Sequence, residues 1–142
     1  MSSGPIVSSE GCRLVAYLCP AGIWTIGYGH TGKDVYAGLK ITQERAEALL
    51  AADLAAAATI VRKYVRVPLT TPQEAALVSF VFNVGWARFS GSTLVRLLNK
   101  GDYACVPAQL ARWNKGTVKG QLVVLPGLVT RRAAEGALWG FG

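Results

Sequence analysis

Between Ala75 and Phe82 the sequence reads AALVSFVF, and a chain carrying such a segment has few ways to fold. Thr71-Pro72-Gln73-Glu74 ahead of it reads as a helix start, a hydroxyl cap followed by proline at the first helical position. A helix that is apolar on nearly every side has no face to give to water, so it belongs at the centre of the domain with other elements packed around it. The flanking sequence supplies them. Thr42, followed by Gln43, Glu44 and Arg45, caps a long helix with apolar positions at Leu49, Leu50, Leu54, Ala57, Ile60 and Val61, ending before Pro68. Ser90 to Asn99 predicts one amphipathic helix stopped at Lys100-Gly101, Asp102 caps another running to about Trp113, and Leu128 to Leu138 forms the last. Lys115 to Val124 has no decided pattern.

The front of the chain has a different texture. Pro5 to Tyr17 predicts a short helix, weakened by Gly11. From Tyr17 to Tyr36, aromatic and β-branched residues (Trp24, Thr25, Ile26, Tyr28) are broken by Gly22, Gly27, Gly29 and Gly32, the pattern of a hairpin with a third strand. A small sheet followed by helices gives an α+β class that is predominantly helical. With 142 residues, 51% of them hydrophobic, residues 1–142 are expected to form a single domain with its own core.

Several classes are excluded. The apolar runs fall short of the roughly 20 residues a membrane span needs, and MSSGPIVSS has neither the basic cluster nor the apolar segment of a signal peptide. Three cysteines, Cys12, Cys19 and Cys105, are an odd number without metal-ligand spacing, so no metal site is expected. The formal charge of +7 draws the protein towards polyanions, but its basic residues are dispersed and form no nucleic-acid arm.

The residues that can carry chemistry lie in EGCRLVAYLCPAGIWTIGYGHT, Glu10 to Thr31. A glutamate closed in by Ile6, Val7 and Leu14 would hold its proton near neutral pH, as a general acid requires. Eight residues separate Glu10 from Cys19, five separate Cys19 from Thr25, and Gly27-Tyr28-Gly29-His30 follows. This arrangement resembles the phage-type lysozymes, glycoside hydrolase family 24, in which a Glu, then an Asp or less often a Cys, then a Thr recur at these separations. The resemblance extends through Ala76 to Gly85, Ser92-Thr93-Leu94, Asn99 to Tyr103, and Leu125 to Glu135, nearly the whole chain.

The resemblance implies a lysozyme-like fold, a small N-terminal sheet lobe packed against a helical lobe with the glycan cleft between them. It implies an endolysin muramidase that cuts the β-1,4 bond between N-acetylmuramic acid and N-acetylglucosamine in peptidoglycan, without a cofactor. Glu10 matches the proton donor, Thr25 the threonine that holds water or sugar, and Cys19 stands where relatives commonly have aspartate. Cys19 and Thr25 either polarise water for inversion, the favoured reading, or a Cys19 thiolate attacks the sugar with retention. Tyr28, Arg131 and Arg132 are expected at the substrate, one arginine pairing with Glu10 or the muramyl carboxylate. His30 and Asp34 are expected to be structural near the site, Asp34 as a turn residue or a partner to His30. A Cys19-His30 nucleophile pair is the less favoured use of that histidine.

Cys12 lies seven residues before Cys19, and a disulfide would mask the thiol if their Cα atoms came within roughly 7 Å. A subgroup of the family with a membrane-tethered N-terminus is thought to use such caging. This chain is expected to be a monomer that waits in the host cytoplasm, with no membrane insertion and no nucleic-acid partner, and to reach the periplasm and wall through a holin. The anionic envelope would attract it. The competing readings are a catalytically inactive peptidoglycan-binding module and a cationic membrane-active protein.

Overall fold

The computed structural model describes residues 12–19 and 22–140. The chain order is β1 (Arg13–Leu18), β2 (Trp24–Gly27), α1 (Gln43–Tyr64), α2 (Thr71–Val84), α3 (Trp86–Ser90), α4 (Thr93–Asn99), α5 (Val106–Ala111), β3 (Lys115–Val118), β4 (Gln121–Val124) and α6 (Pro126–Trp139). The class is α+β and predominantly helical, as the sequence implied.

The apolar segment builds α2, whose residues Ala76 to Val81 are all buried in succession. Around it, Leu54, Ala57 and Val61 of α1, Leu94 and Leu98 of α4, Val106 and Leu110 of α5 and Trp139 of α6 close one core. Phe80 meets Phe89 and Trp113 edge-on, with ring centroids 6.1 and 5.4 Å away. The cap of α2 is Thr70, one residue earlier than the sequence suggested. Its hydroxyl accepts from the Gln73 amide and the Gln73 side chain accepts from the Thr70 amide, a reciprocal pair that Thr71 would not close.

Helix α1 belongs to both lobes. Thr42 caps it by accepting from the Arg45 amide, and while Leu50 to Val61 face the main core, Leu49 joins Ile26 and Val35 in a second, smaller cluster beneath the sheet. Four expectations need correction. The helix expected from an Asp102 cap to about Trp113 begins only at Val106 and ends at Ala111, because Asp102 instead holds the Cys105 amide in the turn before it. Residues 13–17 of the expected N-terminal helix are strand, because Tyr17 and Leu18 pair with Thr25 and Trp24; the helix expected over residues 5–11 lies outside the described residues. The expected third strand is reduced to single bridges, Val15 with Lys40 and Ile26 with His30. The helix expected over Ser90–Asn99 is broken at Gly91, because Ser92 turns its hydroxyl onto the Val95 amide and starts α4 afresh. The undecided stretch is the antiparallel hairpin β3–β4.

Candidate active site

Strand β2 fixes the first component. Thr25 and Ile26 are buried, and the Thr25 hydroxyl donates to the Ile23 carbonyl at 2.9 Å. The same carbonyl accepts from the Cys19 amide at 3.0 Å. The turn from β1 into β2 therefore ties Cys19 and Thr25, six positions apart in sequence, to one oxygen. With its hydrogen engaged, the Thr25 oxygen retains lone pairs that can accept from a water. Cys19 is a half-buried free thiol. Glu10 lies outside the described residues.

Cys12 and Cys19 stand just beyond opposite ends of β1, and both are free. Seven residue steps at about 3.3 Å each place them roughly 20 Å apart, far beyond disulfide reach. The possible disulfide between them is not formed in this fold, where both thiols are free. Cys12 instead donates its thiol hydrogen to the Gln43 side-chain oxygen at 3.4 Å.

The Gly27-Tyr28-Gly29-His30 turn supplies the second component. Gly27 and Gly29 have φ of +65° and +98°, a backbone that side-chain-bearing residues rarely adopt, and Gly27 lies against Ala46 of α1. Hydrogen bonds in both directions between Ile26 and His30 close the turn. His30 Nδ1 lies 2.8 Å from Asp53 Oδ2 of α1 and Nε2 lies 3.0 Å from Asp34 Oδ2. Only the imidazolium can donate from both nitrogens. Burial lowers the His30 pKa, but the hydrogen bonds and charges of Asp53 and Asp34 outweigh it and the net shift is upward; the Asp34 carboxyl is held low, chiefly by His30. With both its nitrogens held by carboxylates, His30 does not touch Cys19, and the Cys-His pair has no geometric support. Asp34 is the partner of His30 that the sequence suggested, whereas Asp53 was not foreseen. The Tyr28 phenol is half-buried and accepts from Gln43 Nε2 at 2.8 Å.

Between the His30 turn and the helices lies a cleft of about 300 Å³, which Cys19, Thr25, Tyr28, Arg131 and Arg132 do not line. Gly29 and Thr31 line the sheet side, Asp53, Ala56, Ala57 and Ile60 the floor, and Val81, Phe82 and Trp86 the helical side. Trp86 is 58% exposed on the helical wall of the cleft. Phe82 and Trp86 give that wall an aromatic, apolar surface.

Arg131 and Arg132 sit on α6, where the sequence placed them, but enclosed rather than at the surface, with 1% and 2% exposure. Arg132 Nη2 donates to Glu135 Oε2 at 3.0 Å, Arg132 Nε lies 2.7 Å from Oε1, and Arg131 Nη2 donates to the Ser79 carbonyl at 3.2 Å. The Ser79 hydroxyl donates to Glu135 Oε2 at 2.6 Å. Burial pushes the Glu135 carboxyl upward, against the opposing pull of Arg132, Ser79 and Arg131. Sequence reasoning passed over Glu135; its signal was an acid three and four positions after two arginines on one helix. No group of three or more metal-ligating side chains occurs among the described residues.

Comparison with known proteins identifies this architecture. The model of the Phage lysozyme family matches residues 7–135. An endolysin of Acyrthosiphon pisum secondary endosymbiont phage 1 is 48% identical over 92% of this chain and 88% of its own length. A SAR-endolysin of Enterobacteria phage PA-2 is 39% identical over 92% of this chain and 78% of its own. The solved muramidase domain of SpmX from Asticaccaulis excentricus superposes with a TM-score of 0.83 at 40% identity, covering 95% of this chain and 91% of that one. The two-lobed fold, the cleft and these matches together establish that the chain belongs to the phage lysozyme family and is a glycoside hydrolase of the lysozyme type.

Proposed function

We propose that this enzyme is an endolysin muramidase that hydrolyses the β-1,4 bond between N-acetylmuramic acid and N-acetylglucosamine, lysing the host for phage release. Glu10 protonates the leaving oxygen. Cys19 and Thr25 hold and polarise the attacking water where commoner relatives use aspartate, and the product is inverted. The observation that carries this reading is the shared Ile23 carbonyl, which ties the Cys19 backbone and the Thr25 hydroxyl to one point and leaves the Thr25 oxygen able to accept from water. The cleft aromatics Phe82 and Trp86 hold the glycan, and Tyr28 lies on the turn that forms its rim. One of Arg131 and Arg132, which both pair with Glu135, also pairs with the muramyl carboxylate or with Glu10.

Among the described residues no helix is long and apolar enough to cross a membrane. A monomer released to the periplasm by a holin, without a cofactor or nucleic-acid partner, fits this enzyme. The test is reducing-end release from purified peptidoglycan under reducing conditions. Glu10→Gln should lose activity by at least about a hundredfold, Cys19→Asp should retain it, and Cys19→Ser should fall between. The anomeric configuration of the first-formed product, read by proton NMR, should be inverted. No release from the unmodified, reduced chain would leave a wall-binding module on a lysozyme fold.

A further inference from the structure

Among the described residues, the hairpin β3–β4 lines neither the cleft at Phe82 and Trp86 nor the buried core. Its register opposes Lys115 to Val124 and Thr117 to Leu122 on one face, and Gly116 to Val123 and Val118 to Gln121 on the other. The second face leans on the protein: a side chain at Gly116 would collide with Leu125, and Gly116 and Val118 are half-buried. The first face is bare. Leu122 is 68% exposed and Val124 52%, with exposed lysines at Lys115 and in the turn at Lys119.

Two further features accompany this face. From Tyr103 to Ala134 the chain has no aspartate or glutamate, so the hairpin sits in 32 residues whose exposed charges, Arg112, Lys115 and Lys119, are all positive. Lys119 also adopts φ +51°, a left-handed conformation that favours glycine or asparagine; it is the one such non-glycine residue among those described. A lysine at that tip is not what the turn itself would choose.

Aliphatic side chains on an open strand face, ringed by lysines and free of acids, match a surface that is apolar beneath and negative at its rim. We propose that the outer face of β3–β4 is a peripheral contact for anionic phospholipid, with Leu122 and Val124 entering the headgroup boundary and Lys115 and Lys119 pairing with phosphates. It would hold the enzyme against a bilayer without inserting it, independently of the cleft.

The test is co-flotation of the full chain with vesicles of phosphatidylglycerol and phosphatidylethanolamine, against phosphatidylcholine vesicles. Binding is expected to the anionic vesicles only and to fade with salt. Lys115→Gln and Lys119→Asn should each weaken it about fivefold, and the double variant Leu122→Ser/Val124→Ser about tenfold. Reducing-end release from purified peptidoglycan should stay unchanged in all of these variants, which also reports that they fold. Equal binding by every variant, or equal binding to phosphatidylcholine, overturns the proposal. So does a dimer that Leu122→Ser/Val124→Ser dissociates, or a loss of binding to purified wall in place of vesicles; these results would assign the face to a second copy of the chain or to the wall polymer.

Discussion

The two hairpins are built alike and treated in opposite ways. Both are antiparallel pairs of short strands with a threonine in one strand, Thr25 in β2 and Thr117 in β3. Thr25 is 3% exposed, and its sheet is clasped to α1 through Ile26 in the smaller core and through His30 on Asp53. Thr117 faces solvent, and its sheet touches the rest of the fold on one side only. An isolated two-stranded sheet is marginal in water. The first is made rigid by α1 and can hold chemistry in place, while the second has freedom to meet something outside the protein.

The sharpest way to break this comparison is to make the same substitution in both. Thr25→Val keeps the branched shape but removes the hydroxyl that the proposed mechanism needs, and kcat should drop about a hundredfold. Thr117→Val should leave kcat unchanged. Equal activity in the two variants would remove Thr25 from the reaction.

The next effect in size concerns the clasp. Asp53→Asn removes one carboxylate from His30 and should lower stability by about 1–2 kcal/mol, read by urea denaturation. Lys115→Gln in the other hairpin should change it by less than about 0.5 kcal/mol. A larger cost for Lys115→Gln would show that β3–β4 is a structural part of the core after all.

How far the sequence disclosed these features depends on whether the information was local. The cap at Thr42, the apolar α2 and the α+β order follow from neighbouring residues and were legible. So was the proximity of Cys19 and Thr25, since a tight turn of the chain produces it. The Asp53–His30 pair was not, because the partners lie 23 positions and a lobe boundary apart and an aspartate within a helix looks like ordinary surface. The β3–β4 hairpin escaped for another reason. Leu122, Val123 and Val124 show no alternation of polar and apolar residues, because no core lies beneath β4 to demand it. What obscured the strand in the sequence is the same property that sets its outer face apart in the structure.

Acidity sharpens the contrast, because one hairpin is held by a titrating group and the other is not. The folded-state His30 pKa is raised, so the clasp's contribution is complete below the unfolded value of about 6.5 and is lost as pH rises through the folded value. Asp34, whose pKa is lowered, acts in the other direction: its share is present above about pH 4 and fades as pH falls through its depressed value, and solvent screening keeps that share small. The stability difference between the unmodified chain and Asp53→Asn should therefore be greater at about pH 6 than at pH 9, shrinking as pH rises through the raised His30 value. A difference that stayed constant up to pH 9 would mean that His30 is neutral in the fold and the clasp is not ionic.

The smallest effect bears most directly on why the second hairpin carries these residues. Lys119 holds a left-handed φ at a cost of roughly 1–2 kcal/mol. Lys119→Gly removes that strain but adds about 0.5–1 kcal/mol of unfolded-chain entropy, so the net gain should be near 0.5 kcal/mol. A rise of one to a few degrees in Tm would report it. If the turn were kept for folding alone, glycine would on balance be the better residue. On the lipid-contact reading, the same substitution that stabilises the fold weakens vesicle binding about fivefold and leaves wall hydrolysis untouched. A stabilised variant that still floats with anionic vesicles would show that the lysine at the tip serves neither the fold nor the membrane. Joint movement of the two readouts in opposite directions would show strain retained at an exposed turn for the contact it makes.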